Sequence, residues 1–162
     1  MSMSKKPSET LATQWLKKQQ IPFTEHVYEY TAKGGANDAA QKLGLDPHLT
    51  IKTLIMEDEK KQPLVVLMHG DQEVSTKNLA RQTGAKHIQP CEPATAQRHS
   101  GYLVGGTSPF GTRKTMPIWV QHTILTLDTI YINGGKRGML LQLAPHILID
   151  KLLAQPVDVA LD

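Results

Sequence analysis

The chain has one cysteine, Cys91, so no disulfide can form within it, and the fold is expected to stand without one in a reducing, cytoplasmic setting. Aromatic residues are scarce, at 5% of the chain, which leaves Ile, Leu, Val and Met to build the core. Long apolar runs are missing. Pro63 to Met68 and Leu140 to Leu143 fall far short of the ~18 residues that cross a bilayer, which excludes a membrane helix. Residues Met1 to Pro7 carry Lys5 and Lys6 without an apolar middle, so they read as a flexible leader rather than a signal peptide. A single domain is expected from residue 8 to 162, a length that buries a sizeable core.

Patterns for common catalytic chemistry are absent as well. The seven histidines, at 26, 48, 69, 87, 99, 122 and 146, form no HxxxH pair and have no cysteine pair beside them, so neither a metal nor a cofactor is expected. Gly106-Thr107-Ser108-Pro109-Phe110-Gly111 lacks GxSxG spacing, and Pro109 has no N–H to serve an oxyanion, which makes Ser108 a poor nucleophile. Thr112 stands where a phosphate-binding GxxxxGK[ST] loop needs lysine. Cys91, between Pro90 and Glu92 with no basic neighbour, reads as a partly buried bystander. A formal net charge of +3 permits binding to a polyanion without requiring it.

Hydrophobic periodicity supplies the elements. Ser8 is expected to cap a helix through Leu11, Ala12, Trp15 and Leu16, which Pro22 stops; Phe23 to Tyr30 alternates like a half-buried strand. Asn37 is expected to cap a short helix ending at Gly44, and Ser75 another ending at Gly84. Thr50 to Met56 and Leu64 to Met68 form a strand pair across the charged link Glu57 to Gln62. A helix is expected over Pro93 to His99. Strands are expected over Tyr102 to Val104, Ile118 to Thr123, Leu125 to Asn133 and Met139 to Leu143, and a last helix from Pro145 through Leu153. The strands and helices do not alternate regularly. The fold class is therefore mixed α/β (α+β), a curved mixed sheet or partly closed barrel with flanking helices.

Four features offer chemistry. Lys52 interrupts an apolar strand on the face of Leu54 and Met56, so it either reaches solvent at the sheet's end or sits beside an anion. Gly105-Gly106-Thr107-Ser108-Pro109-Phe110-Gly111 and Asn133-Gly134-Gly135-Lys136-Arg137-Gly138 are either hairpin turns or loops whose N–H groups meet an oxyanion or phosphate. Tyr28 and Tyr30 either stack on a base or fill the core. Lys77, Arg81, Lys86, Arg98, Arg113 and Lys114 either track an RNA stem or form a solvated surface.

Taken together and in order, these motifs resemble the YbaK/EbsC family of aminoacyl-tRNA deacylases, relatives of the editing domain inserted in some prolyl-tRNA synthetases. The matching residues are Ile21-Pro22-Phe23 with His26 and Tyr28, Ala39-Ala40, Leu43-Gly44-Leu45, Lys52-Thr53-Leu54, Gly101 to Gly106 with Ser108-Pro109 and Gly111, and Thr129-Ile130-Tyr131 with Gly134 to Gly138. The resemblance spans about Ser8 to Val159 and implies a mixed sheet curled toward a barrel. It also implies clearance of cysteine mischarged onto proline tRNA, in trans with prolyl-tRNA synthetase and without membrane, metal or cofactor.

By the same resemblance Lys52 is the key catalytic lysine. Tyr28, Thr53, Gly105, Gly106, Thr107, Ser108, Pro109, Asn133, Gly134, Gly135, Lys136 and Arg137 border the terminal adenosine and aminoacyl group. The substrate's own sulfhydryl attacks its ester in cysteine-specific members, and Gly105 and Gly106 N–H groups are expected near the carbonyl oxygen. Three residues depart from those members: Gly35 replaces a pocket aromatic, Asn133 a serine, and Leu140 a polar or acidic residue. The alternatives are a water-using deacylase for alanyl- or seryl-tRNA, and a non-catalytic module that binds tRNA or a nucleotide.

Overall fold

A computed structural model describes residues 9–161. Among the described residues five α-helices flank the sheets: α1 (Leu11–Lys18), α2 (Gly35–Leu43), α3 (Thr76–Thr83), α4 (Pro93–Ser100) and α5 (Ile147–Asp150). The strands are β1 (Thr24–Val27), β2 (Thr50–Asp58), β3 (Pro63–His69), β4 (Glu73–Val74), β5 (Ile88–Pro90), β6 (Ile118–Gln121), β7 (Ile130–Asn133), β8 (Met139–Leu143), β9 (Gln155–Val157) and β10 (Ala160–Leu161). The main sheet runs β1-β8-β7-β2-β3-β6-β9, with β5 also pairing β2, and β4 with β10 makes a separate ribbon. β2 is antiparallel to β3, while β2–β7, β3–β6 and β6–β9 are parallel, so the sheet is mixed as expected. Its path ends on β1 and β9 without closing.

Period-two alternation divides the core between the two faces of the sheet. Ile51 and Ile55 of β2, Val65 and Leu67 of β3, Ile130 and Ile132 of β7 and Leu141 of β8 join Leu16 of α1, Phe110 and Leu148 in one cluster. Met56, Val66 and Met68 leave the opposite face and meet Leu79 of α3, Val157 and Val159. Every residue of β3 is buried, which is why this segment reads as a continuous apolar run.

Local signals placed several boundaries correctly. Ser75 accepts the Asn78 N–H at the start of α3, and Gly84 ends that helix at φ +81°, as Gly44 ends α2 at +69°. Other expectations shift. The proposed cap Ser8 and the leader 1–7 lie outside the described residues; Thr10 caps α1 in a reciprocal box with Thr13. α2 begins at Gly35 without a side-chain cap, so Asn37 is inside it. β1 stops at Val27, because beyond it the Tyr28 N–H turns to the Gly138 carbonyl. Tyr102 to Val104 is not a strand: Ser100 Oγ holds the Tyr102 N–H in a turn, and the Tyr102 hydroxyl donates to Phe110 O at 2.5 Å. Residues His122–Thr126 form a 3-10 helix, so the expected strand over Leu125 to Asn133 shortens to β7. The last helix keeps only four residues. Among the described residues no helix is long and apolar enough to cross a membrane.

Candidate active site

Along one edge, β2 pairs with β7 at Thr50 and Ile51 and with β5 from Met56 to Asp58. Among the described residues the ladder on that edge is thus interrupted over Lys52, Thr53 and Leu54, resuming where the Cys91 N–H donates to Ile55 O at 3.1 Å. The two glycine loops meet near this break. Asn133, the last residue of β7, follows the paired Ile132, and Lys52 follows its partner Ile51, so both side chains leave toward the same face. Leu140 pairs with Asn133 and with His26, which brings three positions from three strands onto that face beside Lys52.

Lys52 combines the two readings open to it. Its side chain is only 19% exposed, and its ammonium lies 3.2 Å from Glu73 Oε2, so it does sit beside an anion. That anion is a carboxylate of the chain itself. Glu73 is 81% exposed and is held by β4, whose pairing with β10 registers Glu73 opposite Leu161. A pair with one member so exposed is weak, typically below about 1 kcal/mol, so a stronger anion can take the lysine at small cost.

The glycine loops dock on each other, backbone against backbone. A Cβ at Gly106 would lie 2.9 Å from Arg137 N and from the Lys136 backbone, and one at Gly105 would lie 2.5 Å from the Tyr30 hydroxyl. Asn133 Nδ2 donates to Gly105 O at 3.0 Å, Arg137 Nε donates to Val104 O at 2.9 Å, and the guanidinium covers the Tyr30 ring at 5.1 Å. Thr10 Oγ1 ties the second loop to the start of α1 by donating to Gly134 O at 2.5 Å. Close approach of the two loops explains glycine at Gly106, and a φ of +93° beside the Tyr30 hydroxyl explains it at Gly105.

Bonds inside each loop consume most of the N–H groups expected to meet a ligand. Gly106 donates to Leu103 O at 2.8 Å, Gly134 to Met139 O at 3.1 Å and Gly135 to Asn133 Oδ1 at 2.8 Å. The oxyanion role expected of Gly106 N–H is therefore corrected, since that hydrogen is already placed inside a turn. The Gly105 N–H has no partner among the described residues, and Gly105 is exposed beside Leu103 and Val104 at the rim of the docked loops.

The other expected residues distribute around this centre. Thr53 leaves β2 opposite Lys52, on the side of Ile51 and Ile55, and its buried hydroxyl has no hydrogen-bond partner. Ser108 is fully buried and its Oγ accepts the Phe110 N–H at 3.2 Å, while Pro109 is buried and Thr107 half-buried. Tyr28 is half-buried beside Gly138; burial raises its phenol pKa, the Gly138 backbone bond works against this, and Asp38 and Tyr30 push it further up. It stays a neutral donor. Lys136 is half-buried in the loop that abuts Gly106. At Gly35 a Cβ would meet nothing within 4 Å.

Among the described residues no activated protein nucleophile stands at this centre. The Cys91 Sγ donates to Glu57 Oε1 at 3.6 Å, and burial together with Glu57 pushes its pKa up to about 11. His48, His69 and Asp71 offer possible metal ligands within 4.8 Å of one another. His69, however, faces the His48 carbonyl with Nδ1 and the Thr123 hydroxyl with Nε2, both at 2.7 Å. A carbonyl only accepts, so Nδ1 carries the hydrogen and Nε2 receives the Thr123 hydroxyl, leaving no ring lone pair for a metal. Glu73 is the contact that sequence reasoning missed: it lies 21 residues from Lys52, and no local spacing announces the pair.

The sequence pattern of the aminoacyl-tRNA editing domain matches residues 32–151. The chain belongs to the aminoacyl-tRNA editing domain family. Across 92% of both chains this editing domain is 28% identical to the "Putative Cys-tRNA(Pro)/Cys-tRNA(Cys) deacylase EbsC" of Enterococcus faecalis (strain ATCC 700802 / V583). It is 42% identical over 107 residues to a proline--tRNA ligase of Thermodesulfovibrio yellowstonii (strain ATCC 51303 / DSM 11347 / YP87), covering 65% of this chain and 18% of the ligase. Among solved structures, hypothetical protein APE2540 superposes with a TM-score of 0.85 at 22% identity, covering 94% of this chain and all of the other. A "putative trans-editing enzyme for prolyl tRNA synthetase" superposes with a TM-score of 0.82 at 21% identity, covering 98% of this chain and 100% of the other. These structural likenesses establish the shared fold. The family assignment makes this chain an aminoacyl-tRNA editing domain.

Proposed function

We propose that this editing domain clears cysteine from mischarged proline tRNA, acting in the cytoplasm beside prolyl-tRNA synthetase, and that the nucleophile is the substrate's own thiol. The observation that carries this reading is a cationic centre without a protein nucleophile. Lys52 is charged and replaceable at its Glu73 contact, whereas Cys91 is held as a thiol and Ser108 is buried.

In the reaction the cysteinyl sulfur attacks its ester carbonyl; the S–C bond forms, the C–O bond to the terminal ribose breaks, and the thiol proton passes to the ribose oxygen. The products are a thiolactone and free tRNA. Holding sulfur and carbonyl together supplies an effective molarity on the order of 10⁵ M, which removes the need for an enzyme nucleophile. Lys52 releases Glu73 to bind the phosphate of the terminal nucleotide, and the free Gly105 N–H donates to the developing oxyanion. Tyr28, a neutral phenol, donates to the ribose or the amino-acid ester, and Asn133 keeps Gly105 in register.

The similarity to EbsC, whose name gives Cys-tRNA(Pro) and Cys-tRNA(Cys) as substrates, supports cysteine. The open space at Gly35 supports a second reading, a wider acyl pocket that accepts alanyl or seryl esters with water as nucleophile. A product analysis separates them: thiolactone formation from Cys-tRNA(Pro) carries the first, and release of free alanine or serine with ¹⁸O from solvent water carries the second.

A further inference from the structure

The end of α4 gathers cations that the site above does not use. Arg98 stands in its last turn, and the N–H groups of Arg113 and Lys114 donate to the Ser100 and His99 carbonyls at 3.0 and 2.9 Å. These two bonds zip the segment carrying Arg113 and Lys114 against the helix. A recess of about 270 Å³ opens there, lined by Ala94, Gln97, Arg98, Gly101 and Arg113, with no carboxylate in its wall.

Basic side chains at a helix C-terminus often serve its carbonyls. Here that work is done by backbone, since Gly101, Arg113 and Lys114 N–H groups already cap Gln97, Ser100 and His99. Among the described residues neither the Arg98 nor the Arg113 side chain has a hydrogen bond or ion pair. The carboxylate that acts on the neighbouring His99, Glu57, is taken by Lys61, Gln89 and Cys91. Burial lowers the pKa of His99 and the Lys114 and Arg98 charges lower it further, as a locally positive surface requires.

The recess also adjoins the glycine loops. A Cβ at Gly101 would lie 3.6 Å from Leu11 Cδ1, and the preceding residue, Thr10, holds Gly134. Gly101 and Gly105 are four residues apart, so at most about 14 Å of chain separates them. A polyanion leaving the glycine loops therefore meets this recess within a few nucleotides.

We infer that the recess formed by Arg98, Gly101 and Arg113 is a phosphodiester subsite that grips the RNA backbone a few nucleotides before the 3' end. This rests on the proposed aminoacyl-tRNA substrate. The contact is to phosphate, so it contributes affinity and register without reading base sequence. It gives three of the six dispersed basic residues, Arg98, Arg113 and Lys114, a common place in the fold.

The test compares wild type with the Arg98→Gln/Arg113→Gln double variant on two substrates, a full-length aminoacyl-tRNA and the same amino acid esterified to the terminal nucleotide alone, adenosine 5'-phosphate, which has no phosphodiester to reach the recess. Binding of an uncharged RNA acceptor-stem hairpin is measured against salt. The expected results are a KM about tenfold higher on the full tRNA, unchanged kcat/KM on the short ester, and a log Kd against log salt slope smaller by one to two. Equal KM and equal salt slopes would overturn the subsite, as would an equal loss on both substrates with a lowered melting temperature. A wild type that cleaves neither ester overturns the proposed function instead, while the hairpin slopes still decide the subsite.

Discussion

Gly106→Ala tests the docking of the two glycine loops, because its cost is purely steric. The new methyl would lie 2.9 Å from Arg137 N and from the Lys136 backbone, against an optimum near 3.5–4.0 Å, so one loop must retreat by about 0.6 Å or more. That retreat strains the Asn133 to Gly105 and Arg137 to Val104 hydrogen bonds, now 3.0 and 2.9 Å, each worth about 1 kcal/mol. With overpacking of about 1–3 kcal/mol, a loss of about 2–3 kcal/mol is expected, or about 4–12 °C in melting temperature for a domain of this size. Gly84→Ala is the control: its φ is +81° but nothing lies within 4 Å of the added methyl, so only backbone strain of about 1 kcal/mol applies. Thermal melts and kcat/KM on aminoacyl-tRNA are measured for both. Gly106→Ala is expected to melt lower than the control and to lose about 10²-fold in kcat/KM, since a displaced rim misplaces the Gly105 N–H. A Gly106→Ala protein that melts no lower than Gly84→Ala and keeps kcat/KM within twofold would refute the docking.

Further outcomes are expected elsewhere. Glu73→Gln removes the lysine's competing anion from 3.2 Å, worth about 1 kcal/mol at the surface, so pyrophosphate should inhibit about fivefold more tightly with little change in melting; weaker inhibition would contradict the competition. Cys91, with its thiol pKa near 11, should react with iodoacetamide at pH 8 about two orders of magnitude more slowly than glutathione, and at the free rate once unfolded; fast native labelling would show the thiol is not held by Glu57. His69 is buried with its pKa lowered by that burial, so the unfolded chain takes up this proton first. Its contribution is whole above the ordinary histidine value of about 6.5 and fades as pH falls below it. Melting temperature should drop between pH 7 and 5, with a shallower drop in His69→Gln; identical slopes would remove His69 from the acid response.

What the sequence disclosed depended on how local its physics is. Ser75, Gly84 and Gly44 were legible because a cap is settled by a few neighbouring residues. The β2–β3 pair was legible because its apolar runs flank a short polar link. Tyr102 to Val104 misled because its apolar residues obey a distant demand, the Tyr102 hydroxyl reaching Phe110 and the rim at Gly105. The candidate site was legible as a set of residues and not as an arrangement. Alternation along β2 puts Lys52 and Thr53 on opposite faces, and the N–H groups of Gly106, Gly134 and Gly135 are spent before any ligand arrives. Glu73 and the Arg98–Arg113 recess depend on pairings between remote segments, the β4–β10 ribbon and the zipper on α4, which spacing along the chain does not record.

Under the proposed function, Lys52 and the Gly105 rim promote cleavage of an aminoacyl ester without a protein nucleophile. The most direct measurement is single-turnover deacylation of Cys-tRNA(Pro), Cys-tRNA(Cys), Ala-tRNA(Pro) and Ser-tRNA by wild type, Lys52→Ala and Cys91→Ala. Rapid loss of cysteine as thiolactone is expected from wild type and Cys91→Ala, and loss of that activity from a folded Lys52→Ala protein. Normal turnover by Lys52→Ala, or abolished turnover by a folded Cys91→Ala protein, would contradict that reading.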